Sequence, residues 1–402
     1  MAPLLDTIEN ADLGVWVGPI NVGVSGVADD IYLMSDKQSK LQEQLNIAVE
    51  YGKMFRVTYG AAKTKVTVVG SRVDVDYFHD VKPWVMDGKM VQVVDLKVQK
   101  GRSNIFTLLG SGFAYKSHLS PVLKLHIYRT YTCPITRSGL SGLVLRPSQI
   151  ETIALFQRKV LKSILKLTKS APTPAIHFLT GELPVEGKLH RDIFSAFFSI
   201  WSQPDTKIHE IIKYLLENSC ENSRTWSAHV RNLSRRYGLE DPIICLRKDA
   251  PSKAAYKELV KTKITAYFET NLRIATAQNS LMTYLNVTTA GLTGRHHPAL
   301  SNLITTHDVK LSRPHLKFLS GNYLTYSIKA TQSGGSSHCR ICLDPCESVS
   351  HIINSCHGMN DERDKILQEY KSLCMNTKNK IDFEKISEDE AFLCQFFLDP
   401  TS

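Results

Sequence analysis

The segment Val27-Ala28-Asp29-Asp30-Ile31-Tyr32-Leu33 places two adjacent aspartates between two short apolar runs. Residues 18–27 alternate loosely in polarity and residues 31–34 resume the apolar pattern, so we predict two strands joined by a turn at the aspartates. Two carboxylates at such a turn suit Mg²⁺, which prefers oxygen ligands and keeps water and phosphate oxygens in its shell. A solvated Asp-Asp turn without a ligand is the alternative interpretation.

The pattern around this hairpin changes from strand to helix along the chain. Helical spacing predicts a helix over 36–51, which Ser35 or Asp36 can cap and Gly52 can end. A strand is predicted at 65–69, and Asp87-Gly88 predicts a hairpin within 83–110. Beyond these, the apolar period of three and four predicts helices near 113–131, 150–167, 188–202, 206–220 and 253–285. The predicted fold class is α+β, with a small β-rich start, a mainly helical middle and a small cysteine module.

The cysteine module, Cys339-x2-Cys342-x8-His351-x4-Cys356, has the spacing of a zinc site. Two cysteines at an x2 spacing wrap one side of a tetrahedral ion, and His351 with Cys356, about one helical turn apart, closes the other side. Because four protein ligands leave no position for water, the spacing predicts structural zinc. Cys346 is an alternative ligand, and an ordinary buried or reactive cysteine cluster is the alternative interpretation.

The composition is that of a globular chain with a basic balance. The length of 402 residues predicts two or three domains. The hydrophobic fraction of 43% and the charged fraction of 22% are those of a globular protein. Its 49 Lys+Arg against 39 Asp+Glu give a net charge of +10, which favours a polyanionic partner such as nucleic acid. Arg340 and His338, beside the cysteine module, are expected to face an anion, because such modules commonly grip single-stranded nucleic acid.

A basic face on the helix predicted over 150–167 is the second candidate nucleic-acid contact. Its candidate residues are Arg158, Lys159, Lys162, Lys166 and Lys169. They could follow a phosphate backbone, although an ordinary solvated helix face explains the same pattern. The opposite, apolar face is predicted to consist of Ile153, Phe156, Val160, Ile164 and Leu167.

The cysteines and the first residues of the chain indicate a cellular compartment. Four of the nine cysteines crowd into residues 339–356, which favours a metal site in a reducing compartment over disulfides. Residues 1–6 have neither a basic nor a long apolar region of the signal-peptide kind, and no long apolar run suggests a membrane span. We therefore predict a nuclear or cytoplasmic protein that is not secreted and has no membrane partner.

Taken in order, these features resemble the C-terminal part of a non-LTR (LINE-like) retrotransposon reverse transcriptase. The Ala28-Asp29-Asp30 hairpin, its helix and Tyr59-Gly60-Ala61-Ala62-Lys63-Thr64-Lys65 are similar to the end of that family's palm. Ala114-Tyr115-Lys116-Ser117 and residues 130–140 are similar to stretches of its thumb-like region. The cysteine module is similar to the zinc knuckle with which the family ends.

The resemblance implies a function, a set of site residues and a domain division. It implies RNA-directed DNA polymerase activity with dNTP substrates and with RNA and DNA as partners. Asp29 and Asp30 correspond to catalytic Mg²⁺ ligands, and Lys63 corresponds to a lysine near the phosphates of the incoming nucleotide. The implied domains are a partial palm with its following hairpin at 1–110, a helical thumb-like region at 111–240, a helical connector at 241–335, and the zinc knuckle with a helical tail at 336–402.

The chain also departs from the family's pattern. Val27 stands where the family has Phe or Tyr, and Gly60 stands where it has Asn. The family's fingers and a further palm aspartate lie well upstream of the hairpin, and only 28 residues precede Asp29, so we expect a truncated chain that binds nucleic acid and does not extend a primer alone. The alternatives are a non-enzymatic nucleic-acid-binding protein derived from such an element, and a zinc-stabilised interaction module without a nucleic-acid partner.

Overall fold

The structure is a computed structural model that describes most of the chain between Ala2 and Asn376. The described residues are 2–27, 29–60, 63–66, 85–86, 89–90, 92–93, 120–218, 223, 225–279, 282, 284–287, 291–301, 303, 306–323, 325, 329 and 334–376. They belong to two compact units. The first comprises Met1–Arg102, Ser199–Arg231 and Asp241–Ala250, and the second comprises Ser103–Phe198, Asn232–Glu240 and Pro251–Ser402. The four-part division implied by the resemblance stays a prediction.

Helices dominate the described residues, and the strands are short. The helices are α1 (Ala2–Asn10), α2 (Gln38–Phe55), α3 (Pro121–Ile127), α4 (Cys133–Arg137), α5 (Pro147–Leu165), α6 (Thr173–Thr180), α7 (Val185–Trp201), α8 (Lys207–Asn218), α9 (Trp226–Tyr237), α10 (Pro242–Leu246), α11 (Lys253–Ala277), α12 (Thr306–Leu319) and α13 (Asn360–Asn376). The strands are β1 (Val15–Val17), β2 (Ile20–Val22), β3 (Val24–Val27), β4 (Asp30–Leu33), β5 (Lys65–Val66), β6 (Val85–Met86), β7 (Lys89–Met90) and β8 (Gln92–Val93). This content agrees with the predicted α+β class.

The strands pair two by two. β1 with β2, β3 with β4, and β6 with β7 form antiparallel hairpins, whereas β5 pairs with β8 in parallel. The hairpin predicted at Asp87-Gly88 is confirmed by the β6–β7 pairing. The single hairpin predicted over 14–34 is in fact two, because Gly18 takes a left-handed φ of 59° and turns the chain between β1 and β2.

The β3–β4 hairpin packs on α1 and α2. Leu4, Ile8 and Ala48 form a buried cluster, and Val24 and Ile31 pack against it from the two strands. The predicted helix of residues 36–51 is observed as Gln38–Phe55, shifted at both ends. The residues predicted to cap the helix and to end it make other contacts.

Ser35 does not cap the helix, because the helix begins three residues later; its hydroxyl donates to the carbonyl of Leu13 at 2.8 Å and accepts from the N–H of Lys37 at 3.4 Å. Lys37 instead precedes the helix and makes no side-chain cap. The helix continues through Gly52 and does not end there. Gly52 is buried against Tyr59, and a Cβ at this position would lie 2.8 Å from the Tyr59 ring. The helix ends at Phe55, after which Arg56 adopts a left-handed φ of 55°.

In the second unit, α5 packs through a face that differs from the predicted one. The buried residues of the helix are Ile153, Gln157, Leu161, Ile164 and Leu165. Of the predicted stripe, Ile153 and Ile164 are buried and Leu167 is buried just beyond the helix, whereas Phe156 and Val160 are only half-buried. Gln157 is buried because its amide is satisfied at both ends. It donates to the carbonyl of Leu183 at 2.9 Å and accepts from the N–H of Val185 at 2.7 Å. A polar residue that bonds two backbone groups can occupy a core position.

A buried carboxylate holds α3, α6 and α7 together. Glu182 follows α6, and its side chain pairs with Arg129 beyond α3 and with Lys188 on α7. Burial opposes the ionisation of Glu182, but the charges of Lys188 and Arg129 outweigh it and hold its pKa below the usual value. Arg129 also donates to the carbonyl of Thr180 at 2.7 Å, so the ion pairs fix the turn that follows α6.

The helix predictions differ in outcome. The stretches predicted near 188–202 and 206–220 correspond to α7 and α8, and the one near 253–285 ends earlier, at Ala277. Within the described part of the chain, no helix has both the length and the hydropathy that crossing a bilayer requires.

Candidate metal centre

Three cysteines and one histidine converge near the end of the described chain. One ligand atom from each of Cys339, Cys342, His351 and Cys356 lies within 4.8 Å of the others. The sulfurs of Cys339 and Cys356 are 3.8 Å apart, and the Cys342 sulfur lies 3.2 Å from Nε2 of His351. Two sulfurs bound to one tetrahedral zinc ion, each at about 2.3 Å, would lie about 3.8 Å apart. The cluster could therefore hold a metal ion such as zinc.

The local backbone explains why these residues meet. The carbonyl of Cys339 accepts from the N–H of Leu343 at 3.0 Å, and the N–H of Cys339 donates to the carbonyl of Asp344 at 2.8 Å. Leu343 takes a left-handed φ of 65°, which closes this turn and brings Cys342 back beside Cys339. On the other side, a π-helical turn over His351–Ser355 spaces His351 from Cys356, whose N–H donates to the His351 carbonyl at 2.7 Å.

The imidazole of His351 lies between a cysteine sulfur and a carboxylate. Its Nε2 faces the Cys342 sulfur, and its Nδ1 lies 3.8 Å from a carboxylate oxygen of Asp344. An outer carboxylate on the second nitrogen is a common way to fix the tautomer and raise the basicity of a metal-binding histidine. At 3.8 Å, Asp344 is beyond hydrogen-bond distance but near enough to be a candidate second contact of His351; the spacing of cysteines and histidines did not indicate it, although it stands two residues after Cys342.

The surroundings of Cys339 and Cys356 shift the pKa values of their thiols in opposite directions. Burial opposes ionisation of Cys339, but the backbone N–H groups of Cys342 and Ile341 point at its sulfur and lower its pKa to about 7. Burial and the neighbouring sulfurs raise the pKa of Cys356 to about 11. Cys346, the alternative ligand, is exposed and belongs to neither group of potential ligands found among the described residues. The geometry thus favours the four residues selected by spacing.

Arg340 does not face an external anion, contrary to expectation. Its guanidinium forms two parallel hydrogen bonds to the buried carboxylate of Glu347, at 2.8 and 3.0 Å, and a third at 2.9 Å to the hydroxyl of Tyr323. These bonds to Glu347 raise the pKa of Arg340 above its usual value. His338 is exposed with its Nδ1 2.7 Å from the Ser336 hydroxyl, and its role toward an anion stays a prediction.

The two aspartates lie where the sequence predicted them. Val27 of β3 pairs with Asp30 of β4, and Asp29 lies in the turn between them. Both carboxylates belong to exposed residues. Neither aspartate is part of a group of three or more potential metal ligands among the described residues. The hairpin is therefore confirmed, and the role of Asp29 and Asp30 as Mg²⁺ ligands stays a prediction.

Lys63 is exposed in the turn that precedes β5. Its N–H donates to the carbonyl of Gly60 at 2.8 Å. The strand that it leads into is tied to the hairpin, because Val66 of β5 and Leu33 of β4 share one apolar cluster with Leu45. This packing brings the two segments to the same part of the first unit, and the nucleotide-binding role of Lys63 stays a prediction.

The five predicted basic residues of the second unit do not form one helical face. α5 ends at Leu165, because Lys166 adopts a left-handed φ of 55°, so Lys166 and Lys169 lie beyond the helix. Lys159 and Lys169 are exposed, whereas Arg158 pairs with Glu151 and Lys162 donates to the carbonyl of Lys169 at 2.6 Å. Lys166 is buried, with 6% of its surface exposed. Binding of nucleic acid by these residues stays a prediction.

Comparison with protein families and with curated sequences identifies no relative. No family model matches the chain, and no curated protein sequence matches it either.

Proposed function

We propose that this chain acts as the end of the palm, the thumb and the metal module of a non-LTR retrotransposon reverse transcriptase, and that it binds RNA and DNA. The observation that carries the proposal is the exposed pair Asp29 and Asp30 at the tip of the β3–β4 hairpin. Adjacent carboxylates that solvent and a ligand can reach suit the Mg²⁺ ions of phosphoryl transfer. The packing of this hairpin on α1 and α2 supports the proposal, because catalytic ligands need a rigid base.

Under this proposal the hairpin and the turn before β5 have separate tasks. Asp29 and Asp30 would hold Mg²⁺, and the ion would supply charge stabilisation for transfer of a dNTP phosphoryl group to a primer hydroxyl. Lys63 neutralises charge on the dNTP phosphates. Binding of nucleic acid is the first activity to test on the 402-residue chain.

We propose zinc as the ion of the metal centre. Three thiolates and one imidazole form a soft, four-ligand donor set that zinc prefers in structural sites. The separation of 3.8 Å between the Cys339 and Cys356 sulfurs supports this choice. Because ion binding requires all four residues in place, its free energy stabilises the folded loop from Cys339 to Cys356.

Nucleic-acid binding is tested with the full chain and an RNA–DNA hybrid over a range of salt concentrations. We expect affinity to fall steeply with salt, since basic side chains that contact phosphates release counterions. Converting the exposed Lys159 and Lys169 to Gln should reduce the slope of log affinity against log salt by about 2, because each lysine that neutralises a phosphate adds about 1 to that slope. The same change at Lys253 and Lys257, exposed on α11, is the matched control and should leave the slope unchanged.

An affinity that does not change between low and physiological salt would refute the proposal. Equal effects of the two double variants would remove Lys159 and Lys169 from the binding surface. Primer extension is measured in the same samples with Mg²⁺ and dNTPs. Extension that disappears in Asp29→Ala would confirm the catalytic role of that aspartate.

One observation favours a second candidate function, a zinc-stabilised module that binds another protein. We call the loop from Cys339 to Cys356 the metal loop. Its basic residue Arg340 already forms hydrogen bonds to Glu347 and Tyr323. The same loop exposes Ile341 at 50% and Leu343 at 74%, and exposed aliphatic side chains suit contact with an apolar partner surface. Salt-independent binding to a protein partner that Leu343→Asp abolishes would favour this candidate.

A further inference from the structure

Basic side chains from three helices converge in the second unit. They are Lys124 on α3, Lys166 at the C-terminal end of α5, and Lys310 and Arg313 on α12. α3 packs directly against α5. Asn322, just beyond α12, accepts hydrogen bonds from the N–H and the hydroxyl of Thr168 at 2.9 and 2.8 Å, which ties α12 to the segment after Lys166. The fold itself therefore sets the positions of these four cations, which we call the cationic cluster.

Three members of the cationic cluster have no acidic partner within the described part of the chain. Lys166, Lys310 and Arg313 form no ion pair there, and Nε of Arg313 is buried without any hydrogen-bond acceptor. Lys166 is 6% exposed and Lys124 is 2% exposed. Buried cations in proteins are normally paired, because desolvation of an isolated charge is costly. Lys166, Lys310 and Arg313 thus bring together positive charge that no acidic side chain of the described residues pairs with.

The charges act on one another. Burial, followed by the charges of Lys166 and Arg313, lowers the pKa of Lys124. Burial, followed by the charges of Arg313 and Lys310, lowers the pKa of Lys166. Repulsion of this kind grows where solvent is excluded, and an anion placed among the cations would replace repulsion with attraction. The free protein is in this respect less stable than the same protein with an anion bound.

We propose that the cationic cluster is a binding site for a phosphate group, supplied by the backbone of a bound RNA or DNA strand. The inference rests on the nucleic-acid-binding function proposed above. A guanidinium matches two phosphate oxygens in its plane and ammonium groups add point charges, so the combination suits a phosphate. Lys310 is exposed, which leaves one edge of the cluster open to a strand at the surface.

The test uses the full, zinc-loaded chain and two changes that remove charge but keep the buried aliphatic stem, Lys166→Met and Arg313→Met. Lys257→Met, at an exposed lysine of α11, is the matched control. The first measurement is the thermal unfolding midpoint in inorganic phosphate or pyrophosphate against sodium chloride of equal ionic strength. The second is the affinity for a labelled single-stranded oligonucleotide, with and without pyrophosphate as competitor.

We expect pyrophosphate to raise the midpoint of the unaltered chain and of Lys257→Met, because a ligand that binds only the folded state stabilises it. The rise should be absent in Lys166→Met and Arg313→Met. In chloride these two variants should unfold no earlier than the unaltered chain, since removal of one of several like charges relieves repulsion. Each should also bind the oligonucleotide about tenfold more weakly, the value of one charged hydrogen bond, with a salt slope smaller by about 1.

The outcomes separate this inference from the function on which it rests. Oligonucleotide binding that is normal in both variants, with no response to pyrophosphate, overturns the phosphate site and leaves nucleic-acid binding standing. A response to pyrophosphate that requires Lys166 and Arg313, without any oligonucleotide binding, supports the phosphate site and refutes the polynucleotide source. Earlier unfolding of both variants in chloride, again with no response to pyrophosphate in the unaltered chain, shows the cluster to be structural and overturns the inference.

Discussion

Replacing Glu182 by Gln tests whether the buried ion pairs after α6 hold three helices of the second unit together. The side chain of Glu182 is 3% exposed and contacts both Arg129 and Lys188. Gln preserves its shape and removes its charge, so two cations are left near a neutral amide. Removing one partner of a buried ion pair costs about 3–5 kcal/mol. Because Lys188 keeps 14% and Arg129 keeps 30% of its side-chain surface, water can partly solvate them, and we expect about 3 kcal/mol.

Glu151→Gln is the matched control, since Glu151 also pairs with an arginine but is 56% exposed. Exposed pairs contribute about 0–1 kcal/mol, so this change should have little effect. Hydrogen exchange of the amides in α6 and α7 measures the free energy of opening locally, which suits a chain with two compact units. At neutral pH the two variants should differ by about 2 kcal/mol or more.

The pH dependence has a defined sign. The folded-state pKa of Glu182 lies below its unfolded value, so its contribution is fully present above the unfolded pKa of about 4.3 and is lost as pH falls through the lower folded pKa. The unaltered chain and Glu182→Gln should therefore approach each other in stability as the pH falls from the unfolded pKa through the lower folded pKa. Equal protection of α6 and α7 in Glu182→Gln and Glu151→Gln at about pH 7 would refute the reasoning.

The remaining predictions concern the metal centre and one turn. Cys342→Ser should lose bound zinc, whereas Cys346→Ser should keep one equivalent by elemental analysis; a full equivalent in Cys342→Ser would exclude the proposed ligand set. Gly181→Ala and Gly238→Ala both place a side chain at a left-handed φ, 66° and 61°, but only at Gly181 does the new Cβ overlap the carbonyl of Arg295. Gly238→Ala should cost about 1 kcal/mol and Gly181→Ala clearly more, and equal unfolding midpoints would contradict this account.

Local patterns predicted the parts of the fold that depend on short-range chemistry. The turn at Asp29 and the pairing of β6 with β7 follow from residues that favour turns between apolar strands. The convergence of Cys339, Cys342, His351 and Cys356, which could hold a metal ion, follows from their spacing, because short loops bring nearby residues together. These features are encoded by a few neighbouring residues, which is why they could be predicted from the sequence.

Other features depend on partners far away in the sequence. Gln157 was not predicted as a core residue, because its burial requires Leu183 and Val185, 26 and 28 positions later. The hydrogen bonds of Arg340 likewise depend on Glu347 and Tyr323. The sequence does not show whether an arginine beside the cysteine module binds a carboxylate of the same chain or an anion of a partner.

The side chain of Arg363 links the metal loop to α13. Its guanidinium donates to the carbonyls of Ile353 and Cys356 at 2.6 and 3.0 Å, and to the side chain of Asn360 at 2.8 Å. Cys356 is also a proposed metal ligand, so one arginine binds the backbone of the metal loop and the first turn of the helix together. Loss of the ion would therefore unfold the two as a cooperative segment, and a protease that cleaves within α13 would report how much of a cellular pool of this protein carries its metal.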